Sequence, residues 1–77
     1  MSTTAKTLDV KGMLCPMPVI KAKQAISQVP VGGVLEVIAT DPAAKEDIPA
    51  WVRRAGHDLI SMQQENETFK FYVKRKV

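Results

Sequence analysis

Two prolines that stand two residues apart, Pro16 and Pro18, constrain this sequence more than any other feature. A proline lacks a backbone N–H, so the pair cannot lie inside a helix. It fits the first turn, where the N–H groups have no intrahelical partner anyway. The pattern therefore predicts a helix from about Pro16 to Val29, with Cys15 as the N-cap residue. Apolar residues then recur at spacings of three and four, which is typical of a helix buried on one side. They are Val19, Ala22, Ile26 and Val29.

Turn residues and apolar runs divide the rest of the chain into further elements. Pro30 and the pair Gly32-Gly33 end the first helix. A second helix can begin at residues 41–42 or at residues 47–49, since each combines an aspartate with a proline, and Gly56 ends it. Short apolar runs predict strands, of which the last two form a hairpin that turns at residues 65–67. The predicted strands are residues 7–10, 34–40, 59–64 and 68–74.

The predicted order of elements is β-α-β-α-β-β. Each helix has an apolar stripe that must be buried against a sheet, and two layers are the simplest arrangement that buries both. We therefore expect an α/β fold, more specifically an α+β two-layer sandwich, with both helices on one face of a mixed four-stranded sheet. The other face should stay partly solvated. A chain of 77 residues argues for one domain. We expect a flexible N-terminus at residues 1–6 and a single domain at residues 7–77.

Composition and cysteine usage exclude several classes of protein. No apolar run approaches the roughly 20 residues of a membrane span, and residues 1–7 are too polar for a secretory signal. The single cysteine excludes an internal disulfide and suits a reducing compartment. One Cys and one His cannot form a four-ligand zinc site. We therefore expect a cytoplasmic monomer without membrane contact, metal or cofactor.

Cys15 is the candidate functional residue. A thiol at a helix N-terminus has a lowered pKa, because backbone N–H groups and the helix dipole favour its anion. We expect a thiolate or persulfide anion at this position, with the backbone N–H groups of Met17 and Val19 as donors. The alternative is that Cys15 is a small buried hydrophobe. A cysteine hydrolase would also need a base, and His57 is the one histidine, expected on a loop. A thiol that only accepts and donates sulfur needs no base.

A short signature connects this chain to a known family. Its residues are Leu8-Asp9, Gly12 and Cys15-Pro16-Met17-Pro18. They resemble the signature L-D-x-x-G-x-x-C-P-x-P of the TusA/SirA/YedF family, and the similarity extends over about residues 7–76. The resemblance implies the same two-layer sandwich and a persulfide carried by Cys15. The residues expected to support that site are Gly12, Pro16, Met17, Pro18 and Val19.

The resemblance also implies partners. In the TusA branch, sulfur arrives from a cysteine desulfurase or a rhodanese-like protein and passes to a DsrE-type sulfur-relay protein, toward tRNA thiolation or sulfur oxidation. Asp41 and Asp47 match family positions implied in partner contact. Independently of the resemblance, Met13 is a candidate for partner contact, because with Leu14 and Met17 it flanks Cys15 and these residues either pack in the core or form a docking patch. Lys21 is a further candidate, since together with Lys23 it either attracts an acidic partner or belongs to a solvated face. Glu46 is a departure, since tRNA-relay members carry a basic residue before the second aspartate.

Two alternatives stay open at this stage. A small α+β domain with a basic end can be an RNA- or protein-binding regulatory module, and the family also contains members with a selenium-related role. The net charge of +3 and the small number of aromatic residues argue against direct nucleic-acid binding. Whether the chain is an enzyme is also open, because a sulfurtransferase-type carrier needs no cofactor of its own.

Overall fold

The computed structural model describes residues 4–77. The elements follow the predicted order β-α-β-α-β-β. They are β1 Thr4–Asp9, α1 Met17–Ile26, β2 Val34–Ala39, α2 Ala44–Ala55, β3 Asp58–Glu65 and β4 Thr68–Lys74. No helix within this range is long and apolar enough to cross a bilayer.

The four strands form one mixed sheet in the order β1-β2-β4-β3. Strand β2 pairs parallel to β1 and antiparallel to β4, and β3 pairs antiparallel to β4. Both helices pack on one face of this sheet and contact each other. The α+β two-layer sandwich predicted from the sequence is therefore confirmed.

The hydrophobic core lies between the sheet and the helices. The central strands bury Leu35, Val37, Ala39, Phe69, Phe71 and Val73. The helices bury Ala22, Ala25, Ile26, Ile48, Trp51 and Val52. The apolar stripe predicted for α1 is confirmed, although the helix itself ends at Ile26 and Val29 is buried in the turn that follows.

The opposite face of the sheet carries a hydrogen-bonded row of polar side chains. Glu36 accepts a hydrogen bond of 2.9 Å from the Thr7 hydroxyl and one of 2.7 Å from the Tyr72 hydroxyl. The bond to Glu36 is the main reason that the pKa of Tyr72 lies above its ordinary value. All three side chains are at least partly exposed, as expected for a partly solvated face.

Strand β1 and helix α2 begin at residues other than those predicted from the sequence. Strand β1 begins at Thr4, so residues 4–6 of the segment expected to be flexible pair with β2 instead. Residues 1–3 of that segment lie outside the described residues. Helix α2 begins at Ala44, close to the first of the two predicted starts, and Pro49 therefore lies inside the helix.

Candidate functional site

Cys15 lies on the loop that connects β1 to α1, where the parallel strands β1 and β2 end. Gly12 shapes this loop with a φ of +82°, in the region that favours glycine. Its N–H donates a hydrogen bond of 2.9 Å to the hydroxyl of Thr40, just after β2. The loop is thereby attached to the end of β2, and the Cys15 side chain is exposed.

The predicted N-cap position of Cys15 is wrong by one residue. Helix α1 begins at Met17, and Pro16 is the N-cap residue. The Met17 N–H, which we expected to donate to sulfur, instead donates a 2.9 Å hydrogen bond to the Leu14 carbonyl. This tight turn places the thiol one residue before the N-cap, so the sulfur is not cradled by the N–H groups of the first turn. Pro18 is in the first turn, as predicted, and is fully buried.

The Cys15 thiol donates a hydrogen bond of 3.1 Å to Oδ2 of Asp47 on α2. That bond is the largest cause of a raised pKa for Cys15, followed by desolvation and by the negative charges of Asp47 and Asp41. The prediction of a lowered thiol pKa is therefore wrong. The hydrogen bond to Asp47 and the negative charges of Asp47 and Asp41 all favour the protonated thiol over the thiolate.

Asp41 connects the loop between β1 and α1, which carries Cys15, to the start of α2. Its side chain is buried, and its two oxygens accept backbone hydrogen bonds, one of 2.7 Å from the Cys15 N–H and one of 3.1 Å from the Ala43 N–H. Its proposed role in partner contact does not fit this geometry, because the carboxylate faces the backbone of its own chain. Asp47 is half-buried beside the thiol.

A groove of about 200 Å³ opens at the cysteine. It is lined by Cys15, Pro16, Val19, Asp47, Ala50 and Arg54. The sequence analysis missed Arg54, although its spacing of seven residues from Asp47 places both on the same face of α2. The groove therefore combines the thiol with one carboxylate and one guanidinium group.

Three apolar side chains within five residues of Cys15 in the sequence are exposed. Leu14 is 70% exposed, and Met17 and Ile20 are each 39% exposed. We call these three residues the apolar patch. Met13, which we expected as a partner contact, is half-buried and packs against the core, and Lys21 is half-buried as well. The exposed large apolar side chains of residues 13–20 are therefore Leu14, Met17 and Ile20 rather than Met13.

His57 does not pair with Cys15. It lies between α2 and β3, where its Nδ1 accepts a 3.2 Å hydrogen bond from the Lys76 N–H and its ring meets the edge of Trp51 at 5.9 Å. Desolvation and the charge of Arg75 lower the pKa of His57. Within residues 4–77, no group of three His, Cys, Asp or Glu side chains is placed to hold a metal ion.

The chain is thus a small α+β protein of the order β-α-β-α-β-β, with one cysteine whose thiol is exposed on a strand-to-helix loop. A family model described as "Sulfurtransferase TusA" matches residues 6–75. The chain therefore belongs to the TusA family, as the sequence signature indicated.

Similar proteins occur in several bacteria. The chain is 43% identical over 70 residues to a putative sulfur carrier protein, YrkI, of Bacillus subtilis, covering 91% of this chain and 93% of that one. It is 40% identical over 74 residues to the sulfur carrier protein TusA of Pseudomonas syringae, covering 96% and 88%. A crystal structure of a SirA-like protein from Desulfitobacterium hafniense has the same fold, with a TM-score of 0.80 at 23% identity over 94% of this chain and 99% of that one.

Proposed function

We propose that this protein is a sulfur carrier that accepts one sulfur atom on Cys15 as a persulfide and passes it to a partner protein. The exposed thiol at the mouth of the groove is the observation that carries the proposal. Membership of the TusA family and the names of its relatives, sulfur carrier proteins, support it.

The proposed reaction is thiol exchange on a donor persulfide. Sγ of Cys15 attacks the terminal sulfur of that persulfide, a new S–S bond forms on Cys15, and the donor's own S–S bond breaks. The donor cysteine leaves as a thiolate and takes up a proton equivalent to the one that Cys15 lost. The Cys15 persulfide then donates its outer sulfur to an acceptor thiol by the same exchange. No cofactor takes part in this scheme.

The proposed partners are a cysteine desulfurase or a rhodanese-like protein as donor and a DsrE-type relay protein as acceptor. The apolar patch supports a protein partner, because large exposed apolar side chains are typical of interaction sites. We propose that the relay operates in the cytoplasm, where a single thiol stays reduced. Its end product is a thiolated tRNA or oxidised sulfur, and the carrier acts as a monomer.

The test is sulfur loading by a cysteine desulfurase supplied with cysteine. After removal of the desulfurase, cyanide should release thiocyanate from the wild-type protein, in an amount approaching one equivalent, and none from Cys15→Ser. Circular dichroism checks that the variant is folded, which the exposed position of Cys15 leads us to expect. Equal release from Cys15→Ser, or none from the wild-type protein, contradicts the proposal.

A further inference from the structure

Asp47 lies directly beside the Cys15 thiol in the groove. Its carboxylate is 3.1 Å from Sγ and lines the same groove as the thiol. A carboxylate at this distance favours the protonated thiol, since a thiolate would be repelled by it and would lose the hydrogen bond. The attacking species in sulfur exchange is the thiolate. Asp47 therefore opposes the reactivity of the free carrier.

The other groups around Cys15 do not cancel this effect. Asp41 adds a second negative charge from the loop between β2 and α2, and the α1 side of the groove contributes only the apolar Pro16 and Val19. Arg54 is the cationic group in the lining of the groove. Despite this cation, the pKa of Cys15 is raised, with Asp47 as the largest cause.

We propose that Asp47 couples docking to reactivity: its carboxylate holds the Cys15 proton in the free carrier, and a cationic side chain of the donor protein pairs with Asp47 and so releases that proton. This inference rests on the sulfur-carrier function proposed above and assigns Asp47 a role in it. A carrier with this device reacts slowly with stray electrophiles and quickly with a docked donor.

The residues near Cys15 indicate which side chains the donor protein must present. The apolar patch, with Leu14 at 70% exposure, belongs to the same segment of the chain as Cys15 and fits an apolar contact area on the donor. Asp47 lies beside the thiol as a half-buried carboxylate, which fits an arginine or lysine that reaches into the groove. Pairing removes the repulsion that disfavours the thiolate, because the cation compensates the charge of Asp47. The proton leaves to solvent, and an equivalent proton is taken up by the donor thiolate when its S–S bond breaks.

The first experiment measures, in the absence of a partner protein, how strongly Asp47 keeps the Cys15 thiol protonated. The rate of Cys15 alkylation by neutral iodoacetamide is recorded against pH for wild type, Asp47→Asn and Glu46→Gln. Glu46 is the matched control, because it is the exposed neighbour on α2 and its substitution removes the same charge. Asp47→Asn should alkylate several-fold faster than wild type near neutral pH, with its profile displaced to lower pH, while Glu46→Gln stays near wild type. Identical profiles for wild type and Asp47→Asn, or equal effects of both substitutions, overturn the proposal.

The second experiment measures docking, with a cysteine desulfurase and cysteine as the donor system. The initial rate of loading is recorded against carrier concentration for wild type, Asp47→Asn and the remote Glu67→Gln. Asp47→Asn should need a several-fold higher carrier concentration for half-maximal rate, with a maximal rate at least that of wild type. The proposed coupling is overturned if Asp47→Asn needs the same carrier concentration as wild type for half-maximal rate, or if only its maximal rate falls. If the wild-type protein gains no sulfur, the sulfur-carrier function fails, while the alkylation profiles still decide whether Asp47 holds the proton.

Discussion

The backbone N–H of Cys15 donates a 2.7 Å hydrogen bond to Oδ2 of Asp41, and this bond joins the loop between β1 and α1 to the start of α2. The other oxygen of Asp41 accepts the N–H of Ala43, just before the helix. Asp47 lies on the first turns of that helix. The distance from the Cys15 sulfur to Asp47 therefore depends on Asp41, which does not touch the sulfur.

The first prediction concerns the stability that Asp41 contributes. Asp41→Ala leaves two backbone N–H groups without their acceptor at a site where the side chain is only 9% exposed. Hydrogen bonds to a charged group contribute about 1.5–3 kcal/mol each, so the free energy of unfolding should fall by at least about 2 kcal/mol. Urea denaturation measures this. The control is Asp58→Ala, which removes an exposed ion pair of 3.6 Å to Lys76 and should cost less than about 1 kcal/mol. Equal losses from both variants would show that Asp41 has no special role.

The second prediction concerns Arg75, which follows β4 and caps the end of α1. Its Nη1 donates hydrogen bonds of 2.7 Å to the Val29 carbonyl and 3.3 Å to the Ser27 carbonyl. Arg75→Ala should lower the free energy of unfolding by about 1–2 kcal/mol, since the helix end loses its donors. Thermal unfolding measures the change, with the exposed Lys74→Ala as a control of equal charge. A loss no larger than that of Lys74→Ala would be inconsistent with capping by Arg75.

The third prediction concerns pH. Desolvation and the charge of Arg75 lower the pKa of His57 in the folded protein from its ordinary value of 6.5. A lowered folded pKa means that the unfolded chain binds the proton first as pH falls. The contribution of His57 to stability is therefore complete above the unfolded value and is lost as pH falls through the folded pKa.

Urea denaturation at about pH 7.5 and at about pH 5.5 tests this prediction. The wild-type protein should lose more stability between these values than His57→Gln, which cannot titrate there. The comparison with the variant removes the contribution of the carboxylates, which titrate in both proteins. The same loss in both proteins would mean that the fold does not favour neutral His57.

The fold was predictable because the sequence features that specify its helices and strands are local. The two prolines at 16 and 18 place the start of α1 to within one residue, and the alternation of apolar residues in β4 separates Phe69, Phe71 and Val73 from the polar face. Glycine at 56 ends α2 in the left-handed conformation expected of a helix stop. Each of these features depends on neighbours in the sequence, so a single chain was sufficient to find it.

The electrostatics of the site was not predictable in this way. The bond from Cys15 to Asp47 joins residues that are 32 positions apart, and it reverses the expected direction of the thiol pKa. The capping bonds of Arg75 span 46 and 48 positions. Nothing local distinguishes Arg75 from the lysines beside it. Such contacts follow from how the two helices and the sheet pack together, which no local pattern specifies.

The central claim is that one sulfur atom of this chain, Sγ of Cys15, carries the transferred sulfur. Intact-protein mass spectrometry after incubation with a cysteine desulfurase and cysteine tests it most directly, followed by fragmentation to locate the added mass. The account predicts a gain of one sulfur mass on the peptide that contains Cys15, removed by a reducing agent and not formed in Cys15→Ser. A wild-type mass that stays unchanged, or an added sulfur that also appears in Cys15→Ser, would contradict it.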